Sequence, residues 1–342
     1  MALDTELSWL MRGDSLDRQQ ARAAMERILA GGEPAAAQIT AMLVALRLKG
    51  ESAGELAGFT EAMRGAMLGV TCDSRPLIDT CGTGGDGLGT FNISTVVALV
   101  VAGAGATVAK HGNRSISSQS GSADVLEALG VRVGLPAADG EHCLREAGIA
   151  FLFAPAHHPA MRHVQPLRRE LKLRTAFNFL GPLSNPAGAP FQLIGAPSYD
   201  VAKRMAEALA LLGTERAFVV HGADGLDEIS LSGATWLFDV RTGRVEERQV
   251  QPSDFGLSRA PLEALAGGDA LTNAGLAREV LSGALGARRD IVLMNAAAAL
   301  VVCGLAPDFL SGVRLAAESI DSGAAAGKLE LLARLTQLVT TD

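Results

Sequence analysis

Aromatic residues are scarce in this chain. One tyrosine, two tryptophans and eleven phenylalanines make up 4% of it, which leaves Ala, Leu and Val to fill the core. The four cysteines, Cys72, Cys81, Cys143 and Cys303, form no C-x-x-C pair, and a reducing cytoplasm is the expected compartment. Positive charge is not in excess: 30 basic residues face 37 acidic ones, a net charge of −7 that argues against broad nucleic-acid or anionic-membrane binding. No apolar run is long enough to span a bilayer. The most hydrophobic window, residues 291–303, is short and interrupted by Asn295, which reads as a buried helix. The first ten residues carry acids where a signal peptide carries bases, and no repeat or low-complexity tract is present. What remains is 342 residues, 48% apolar and 20% charged, the profile of an α/β enzyme with one large domain or one large and one small.

The chain is organised around residues 79–87, Asp-Thr-Cys-Gly-Thr-Gly-Gly-Asp-Gly, which lead through Phe91-Asn92-Ile93-Ser94-Thr95 into an apolar run. Four glycines in six positions (Gly82, Gly84, Gly85, Gly87) let backbone N–H groups approach an anion closely. Ser94 or Thr95 is expected to cap a helix over 96–104, whose open N–H groups face the same place. The pattern predicts a phosphate site. Gly82, Gly84 and Gly87 also satisfy G-x-G-x-x-G, but the helix opens too late and the next strand ends in Lys110 rather than an acid, which disfavours a dinucleotide. No Gly-Lys-Ser/Thr follows, so the Walker pattern fails.

Residues 15–69 read as short Ala-rich helices over 16–29, 33–46 and 53–67, a unit with little core of its own that must lean on the main domain or a second copy. After a linker at 72–76, strands are expected at 77–80, 106–109, 149–153, 191–195 and 217–220, alternating with helices at 122–129, 141–147 and 201–212. That alternation predicts a mainly parallel sheet covered on both faces. Residues 235–240 and 245–250 read as an edge hairpin, and helices over 270–285, 290–303, 310–322 and 328–339 as covering layers without catalytic groups. Ligands in such folds bind at the carboxyl ends of the strands, which gathers the loops at 81–95, 110–122, 154–160 and 221–228 onto one rim.

Lys110-His111-Gly112-Asn113-Arg114 follows a buried strand directly, and Ser115, Ser117, Ser118, Ser120 and Ser122 come next, with Gly121 ahead of a helix. A surface role is the usual fate of such residues, but this density at a strand's carboxyl end points to a second anion site. The substrate would carry two phosphates, or a phosphate and a carboxylate. Asp227-Glu228 lies just past another strand. Beside two anion sites these carboxylates would repel the substrate unless a hard cation intervened, so Mg²⁺ follows from the phosphate reading. Among Arg162, Arg168, Arg169, Lys172 and Arg174, mostly a solvated face, one inward arginine suits a substrate carboxylate. His157-His158 has no further ligands spaced around it and does not read as a metal pair.

These motifs, together with Gly121-Ser122-Ala123-Asp124, Arg174-Thr175, Phe177-Asn178, Gly181-Pro182-Leu183 and Asn185-Pro186, resemble in order those of the anthranilate phosphoribosyltransferase family over nearly the whole chain. The resemblance implies a small all-helical N-terminal domain (1–72, joined in space by helices near 162–185) and a larger α/β domain (77–342) with a mainly parallel central sheet flanked by helices. It also implies a cytoplasmic homodimer joined through the helical domains. By the same carry-over, Gly82, Thr83, Gly84, Gly85, Asp86, Thr90, Asn92, Ser94, Thr95, Lys110 and Ser122 or its neighbour Ser118 would bind phosphoribosyl pyrophosphate. Asp227 and Glu228 would hold Mg²⁺, with Ser94 a further ligand. Gly82, His111, Asn113, His158, Arg168, Gly181 and Pro182 would line the anthranilate path, with Arg168 facing the carboxylate. Lys172 stands where the family usually has glycine, so the helix end near Arg168 is expected to differ. An aryl amine is nucleophilic when neutral, and no residue is assigned as a general base. A nucleoside phosphorylase of related fold would share the glycine loop and lysine but not need the carboxylate pair. A nucleic-acid-binding relative is disfavoured by that pair and by a pI near 5.5.

Overall fold

A computed structural model describes residues 2–32, 34–114 and 119–338. Four helices open the chain: α1 (Asp4–Met11), α2 (Arg18–Ala30), α3 (Ala36–Lys49) and α4 (Ala53–Gly65). Both α2 and α4 start in a capping box, Asp17 with Gln20 and Ser52 with Glu55, so two free N–H groups at each start are satisfied by side chains. Helix α1 was not foreseen from the sequence. It is one short element with a single buried residue, Leu10, too few to show a period.

The remainder alternates as expected. The order is β1 (Leu77–Gly82), α5 (Ile93–Gly103), β2 (Thr107–Gly112), α6 (Ser122–Ala128), α7 (Ala137–Ala147), β3 (Ile149–Phe153), three short helices α8 (Ala154–His157), α9 (Gln165–Leu171) and α10 (Phe177–Leu183), then β4 (Phe191–Gly195), α11 (Tyr199–Leu211) and β5 (Arg216–Gly222). An antiparallel hairpin, β6 (Thr235–Arg241) and β7 (Arg244–Val250), closes the sheet edge, and α12 (Ala270–Leu281), α13 (Ala287–Val302), α14 (Phe309–Asp321) and α15 (Ala324–Leu338) follow. The sheet has the order β3-β2-β1-β4-β5-β6-β7, parallel from β3 through β5.

Strand periodicity divides two cores. Leu193, Phe218, Val220 and Leu237 face a core shared with α5, apolar from Val96 onward, and with α13. Their neighbours Ile194, Ala217, Val219 and Phe238 face the other, where α11 and α10 pack with Met25, Leu43, Leu46 and Phe59 of the N-terminal helices. The N-terminal helices therefore bury their narrow apolar faces against one side of the sheet's outer half. Among the described residues no helix is long and apolar enough to cross a membrane.

Candidate active site

The chain runs outward from β1 to β3, returns to β4 beside β1, and continues the other way, so β1 and β4 flank the point where the strand order reverses. Such a point opens a crevice at the strands' carboxyl ends. Gly82 and Gly195 end the two strands in register, and the Thr83 N–H donates to Gly195 O at 2.9 Å. A Cβ on Gly195 would lie 1.6 Å from the Asp227 carbonyl oxygen, so only glycine lets the loop after β5 cross over this point. That crossing brings the carboxylates at 227 and 228 onto the glycine loop, 145 residues earlier in the chain for Asp227 and Gly82 (227 − 82).

Asp227 lies against the glycine loop, close to the Gly84 N–H and the Asp86 carboxylate, its Oδ2 3.1 Å from where a Cβ on Gly82 would stand. Glu228 lies close to the Ser94 N–H in the first turn of α5. The carboxylates thus stand beside backbone donors of the glycine loop and of α5. Each keeps some solvent access at the cleft mouth while protein packs round it on the other sides. This burial, with the charge of Asp86, pushes Asp227 up to about 7, and burial with the charge of Asp227 holds Glu228 well above the usual carboxylate range. Their loop is tied from behind. Asp224 accepts from the Leu226 N–H at 3.2 Å and from the hydroxyls of Ser230 and Ser232, each at 2.5 Å.

Lys110, at the end of β2, is 3% exposed and donates to Thr80 O at 2.5 Å and Ser94 Oγ at 3.2 Å. Burial lowers its pKa, opposed by the charges of Asp79, Cys81 and Glu228. Asp79 is fully buried beneath it. Its carboxylate accepts from the His111 N–H at 3.1 Å and from Asn185 Nδ2 at 2.7 Å, and Asn185 also donates to Ala109 O at 2.8 Å. Asp79 is therefore an internal counter-charge that fixes the carboxyl end of β2.

The expected cap at Ser94 or Thr95 is corrected by the structure. α5 begins at Ile93, so both residues lie inside its first turn, and Asn92 holds the cap position without a side-chain cap bond. Asn92 is engaged elsewhere: its Nδ2 donates to Ser120 O at 3.2 Å and its Oδ1 accepts from Asn273 Nδ2 at 2.8 Å. Thr95 is 1% exposed, its hydroxyl buried without a partner among the described residues. Thr90 bridges to Ala266, and the flanking Gly267 N–H to Gly89 O and Phe91 N–H to Leu265 O bonds stitch the glycine loop to the segment before α12. Ser122 donates to Asn113 O at 3.2 Å, which folds the Lys110–Arg114 stretch back onto α6. Ser118 lies outside the described residues.

A second cluster stands alongside. His111 and His158 approach with ring centroids 5.2 Å apart, and His111 Nδ1 lies 2.9 Å from Gly181 O. Burial and the other ring's charge depress His111 to about 3; burial and the charge of His157 depress His158 to about 4, so both are neutral at pH 7. Pro182 O accepts from Gln192 Nε2 at 2.8 Å, holding α10 to β4. Arg168 on α9 lies over the Phe177 ring at 5.7 Å and makes one long contact, 3.5 Å, to Gln165 Oε1. Burial lowers its pKa, and no carboxylate opposes that shift. α9 ends at Lys172, the one non-glycine residue with positive φ (+50°) among those described. The C-terminal residue of a helix often takes this left-handed conformation, and glycine takes it at least cost. His157 is separate: its Nδ1 lies 3.1 Å from Leu68 O, a packing role.

Three residues take part in shaping the site in ways that the sequence did not assign. Asn273 on α12 holds Asn92. Asn295, fully buried on the otherwise apolar face of α13, accepts from the Ile229 N–H at 2.9 Å and donates to Ile229 O at 3.0 Å, next to Glu228. Arg174 donates to the carbonyls of Gly84 and Gly85 at 2.8 and 3.0 Å. The helices that carry Asn273 and Asn295 were expected to be covering layers only; for Asn295 the signal was a lone amide in an apolar run, which burial tolerates only with its hydrogen bonds made.

A reversal point lined by glycine-loop donors, a buried lysine and paired carboxylates defines a glycosyl-transferring α/β fold. Residues 74–326 match the model described as glycosyl transferase family, a/b domain, and residues 7–67 match that family's helical bundle domain. The anthranilate phosphoribosyltransferase of Solibacter usitatus is 55% identical over 335 residues, 97% of this chain and 98% of that one. The crystal structure of anthranilate phosphoribosyltransferase from Thermus thermophilus superposes with a TM-score of 0.91 at 44% identity, covering 97% of this chain and 99% of that one. The Saccharomyces cerevisiae enzyme in complex with phosphoribosyl pyrophosphate and Mg gives 0.90 at 29% identity, with 98% of each chain covered. The chain belongs to the anthranilate phosphoribosyltransferase family.

Proposed function

We propose that this protein transfers the phosphoribosyl group of phosphoribosyl pyrophosphate to the amine of anthranilate, releasing pyrophosphate, in tryptophan biosynthesis. The observation that carries the reading is the carboxylate pair Asp227 and Glu228 brought against the glycine loop and the start of α5, beside Lys110. Two desolvated acids on an anion site need a cation. Among the described residues no three His, Cys, Asp or Glu side chains group closely enough to hold a metal alone, so Mg²⁺ would complete its shell with substrate oxygens. When bound it neutralises the leaving pyrophosphate, with Asp227, Glu228 and Ser94 as its protein-side candidates.

The chain's own residues position and neutralise. Gly82, Thr83, Gly84, Gly85, Asp86, Thr90, Asn92, Thr95 and Ser122 shape the donor site, and Lys110 stabilises negative charge as the anomeric C–O bond breaks. His111, Asn113, His158, Gly181 and Pro182 shape the acceptor site, where Arg168 holds the anthranilate carboxylate in a paired contact. Neutral histidines carry no charge that would compete with the arginine for that carboxylate. We further read the protein as a cytoplasmic homodimer joined through the helical unit, residues 1–72 with 162–185 packed against it, and carrying the α/β unit in 77–342. The test is loss of anthranilate fluorescence when the protein is mixed with anthranilate and phosphoribosyl pyrophosphate. Loss only with Mg²⁺ present is the expected result; no loss beside an active control enzyme refutes the reading.

A further inference from the structure

Arg174 joins the two halves of the site, and none of the roles above uses it. It follows α9 by three residues, on the segment that carries Arg168 and the left-handed Lys172 toward α10, yet its side chain ends on the glycine loop. Its Nη1 donates to two successive carbonyls, Gly84 O at 2.8 Å and Gly85 O at 3.0 Å. A Cβ on residue 85 would lie 1.8 Å from that nitrogen, so the guanidinium occupies the space that the glycine leaves. Residue 85 also takes a left-handed φ of +79°, so glycine there serves both the turn and the close approach of the guanidinium. Carbonyl oxygens are the wrong ends of the peptide for binding phosphate. Held by Arg174, they turn toward the arginine, and a peptide whose carbonyl is held one way presents its N–H on the opposite side. The charges of Asp227 and Asp86 also act on the guanidinium. Its Nη2 is buried without a hydrogen-bond partner among the described residues, as is Asp86 Oδ2. Buried donors of this kind are costly unless they are used.

We propose that Arg174 is a positioning residue that clasps the Gly84–Gly85 carbonyls from the acceptor-side segment and so holds the glycine loop in the form that binds phosphoribosyl pyrophosphate. This inference rests on the proposed function for the identity of the donor, but not for the clasp itself. It predicts a selective effect. Arg174→Ala loosens residues 82–88, so their amide hydrogen exchange in the ligand-free protein speeds up, and the Kd and KM for phosphoribosyl pyrophosphate rise about tenfold, the factor expected from losing one to two net hydrogen bonds. The maximal rate at saturating donor changes by less than about threefold, because the clasp acts before chemistry. Arg174→Lys keeps one donor at the loop and restores part of the affinity. A defect that is merely structural lowers the amount of active protein and leaves KM alone.

The experiment combines exchange of the 82–88 amides without ligand, calorimetric binding of phosphoribosyl pyrophosphate with Mg²⁺, and steady-state rates for wild type, Arg174→Ala and Arg174→Lys. Faster exchange with weaker donor binding and partial rescue by lysine supports the clasp. Unchanged loop exchange, or unchanged donor affinity in Arg174→Ala, overturns it. A failure of the functional reading is visible separately, as a wild-type protein that neither binds the donor nor consumes anthranilate.

Discussion

The loop after β5 and the segment between α9 and α10 both reach the glycine loop, and they are built in contrasting ways. The first is knitted from behind: Asp224 gathers two serine hydroxyls and a backbone N–H, and Asn295 pairs with both polar groups of Ile229 as a neighbouring strand would. The second meets the glycine loop through one arginine, starts from a left-handed lysine and, among the described residues, leaves that arginine's Nη2 without a partner. The difference follows from charge. Two adjacent carboxylates that sit partly out of water repel each other, so the loop bearing them must be fixed by its surroundings. On the proposed reading the second segment meets a neutral aryl amine and a single carboxylate, and has no such repulsion to resist.

Breaking the knitted side at its charges gives the largest effect. Asp227→Asn with Glu228→Gln is expected to lower magnesium-dependent turnover roughly a thousandfold, from loss of the metal-neutralised leaving group. The same change should stabilise the empty protein at pH 8. Because the folded-state pKa of Asp227 is raised, the folded protein binds more protons than the unfolded chain between about pH 4 and 7, and stability falls as pH rises through that window. Melting curves of wild type and variant should therefore coincide near pH 4, part as pH rises toward 7 and stay apart at pH 8. A variant no more stable than wild type at pH 8 would remove the repulsion from the argument.

Breaking the same loop at its support gives a smaller effect. Asn295→Ala leaves the Ile229 N–H and C=O without partners in a dry interior, a loss of about 2 kcal/mol. The apparent Mg²⁺ requirement should rise several-fold while the rate at saturating Mg²⁺ stays near wild type, which a magnesium titration reads directly. If melting shifts but the magnesium curve does not, Asn295 serves only the core. The smallest effect belongs to the other side. Lys172→Gly removes the left-handed penalty but adds freedom to the unfolded chain, for a net gain of about 0.5 kcal/mol in stability. The KM for anthranilate should change more than that for the phosphoribosyl donor, and equal changes in both would place the strain outside the acceptor side.

Much of this site can be read along the chain. Consecutive residues such as Gly82–Asp86, Lys110–Arg114 and Asp227–Glu228 carry their chemistry in short runs, and strand–helix alternation puts their loops on one rim. The cap of α5 is misjudged because Ser94 and Thr95 are good caps by type, whereas Asn92, held by tertiary contacts with Asn273 and Ser120, takes the cap position before Ile93. Asn273, Asn295 and Arg174 are illegible for a different reason. Each acts at a distance of 66 to 181 residues through one side chain, and no local pattern records its target.

The sequence by itself determined the alternating fold, the anion-binding loops and the acidic pair, because backbone propensity and residue chemistry act within a few positions. Only the tertiary structure decided that β1 and β4 meet at the reversal point, that Asp227 closes over Gly82 and Gly195, and which distant amides and guanidinium hold those loops. Those outcomes depend on burial and close approach, the Cβ-free space at Gly195 and Gly85 above all, and such contacts exist only once the elements are packed.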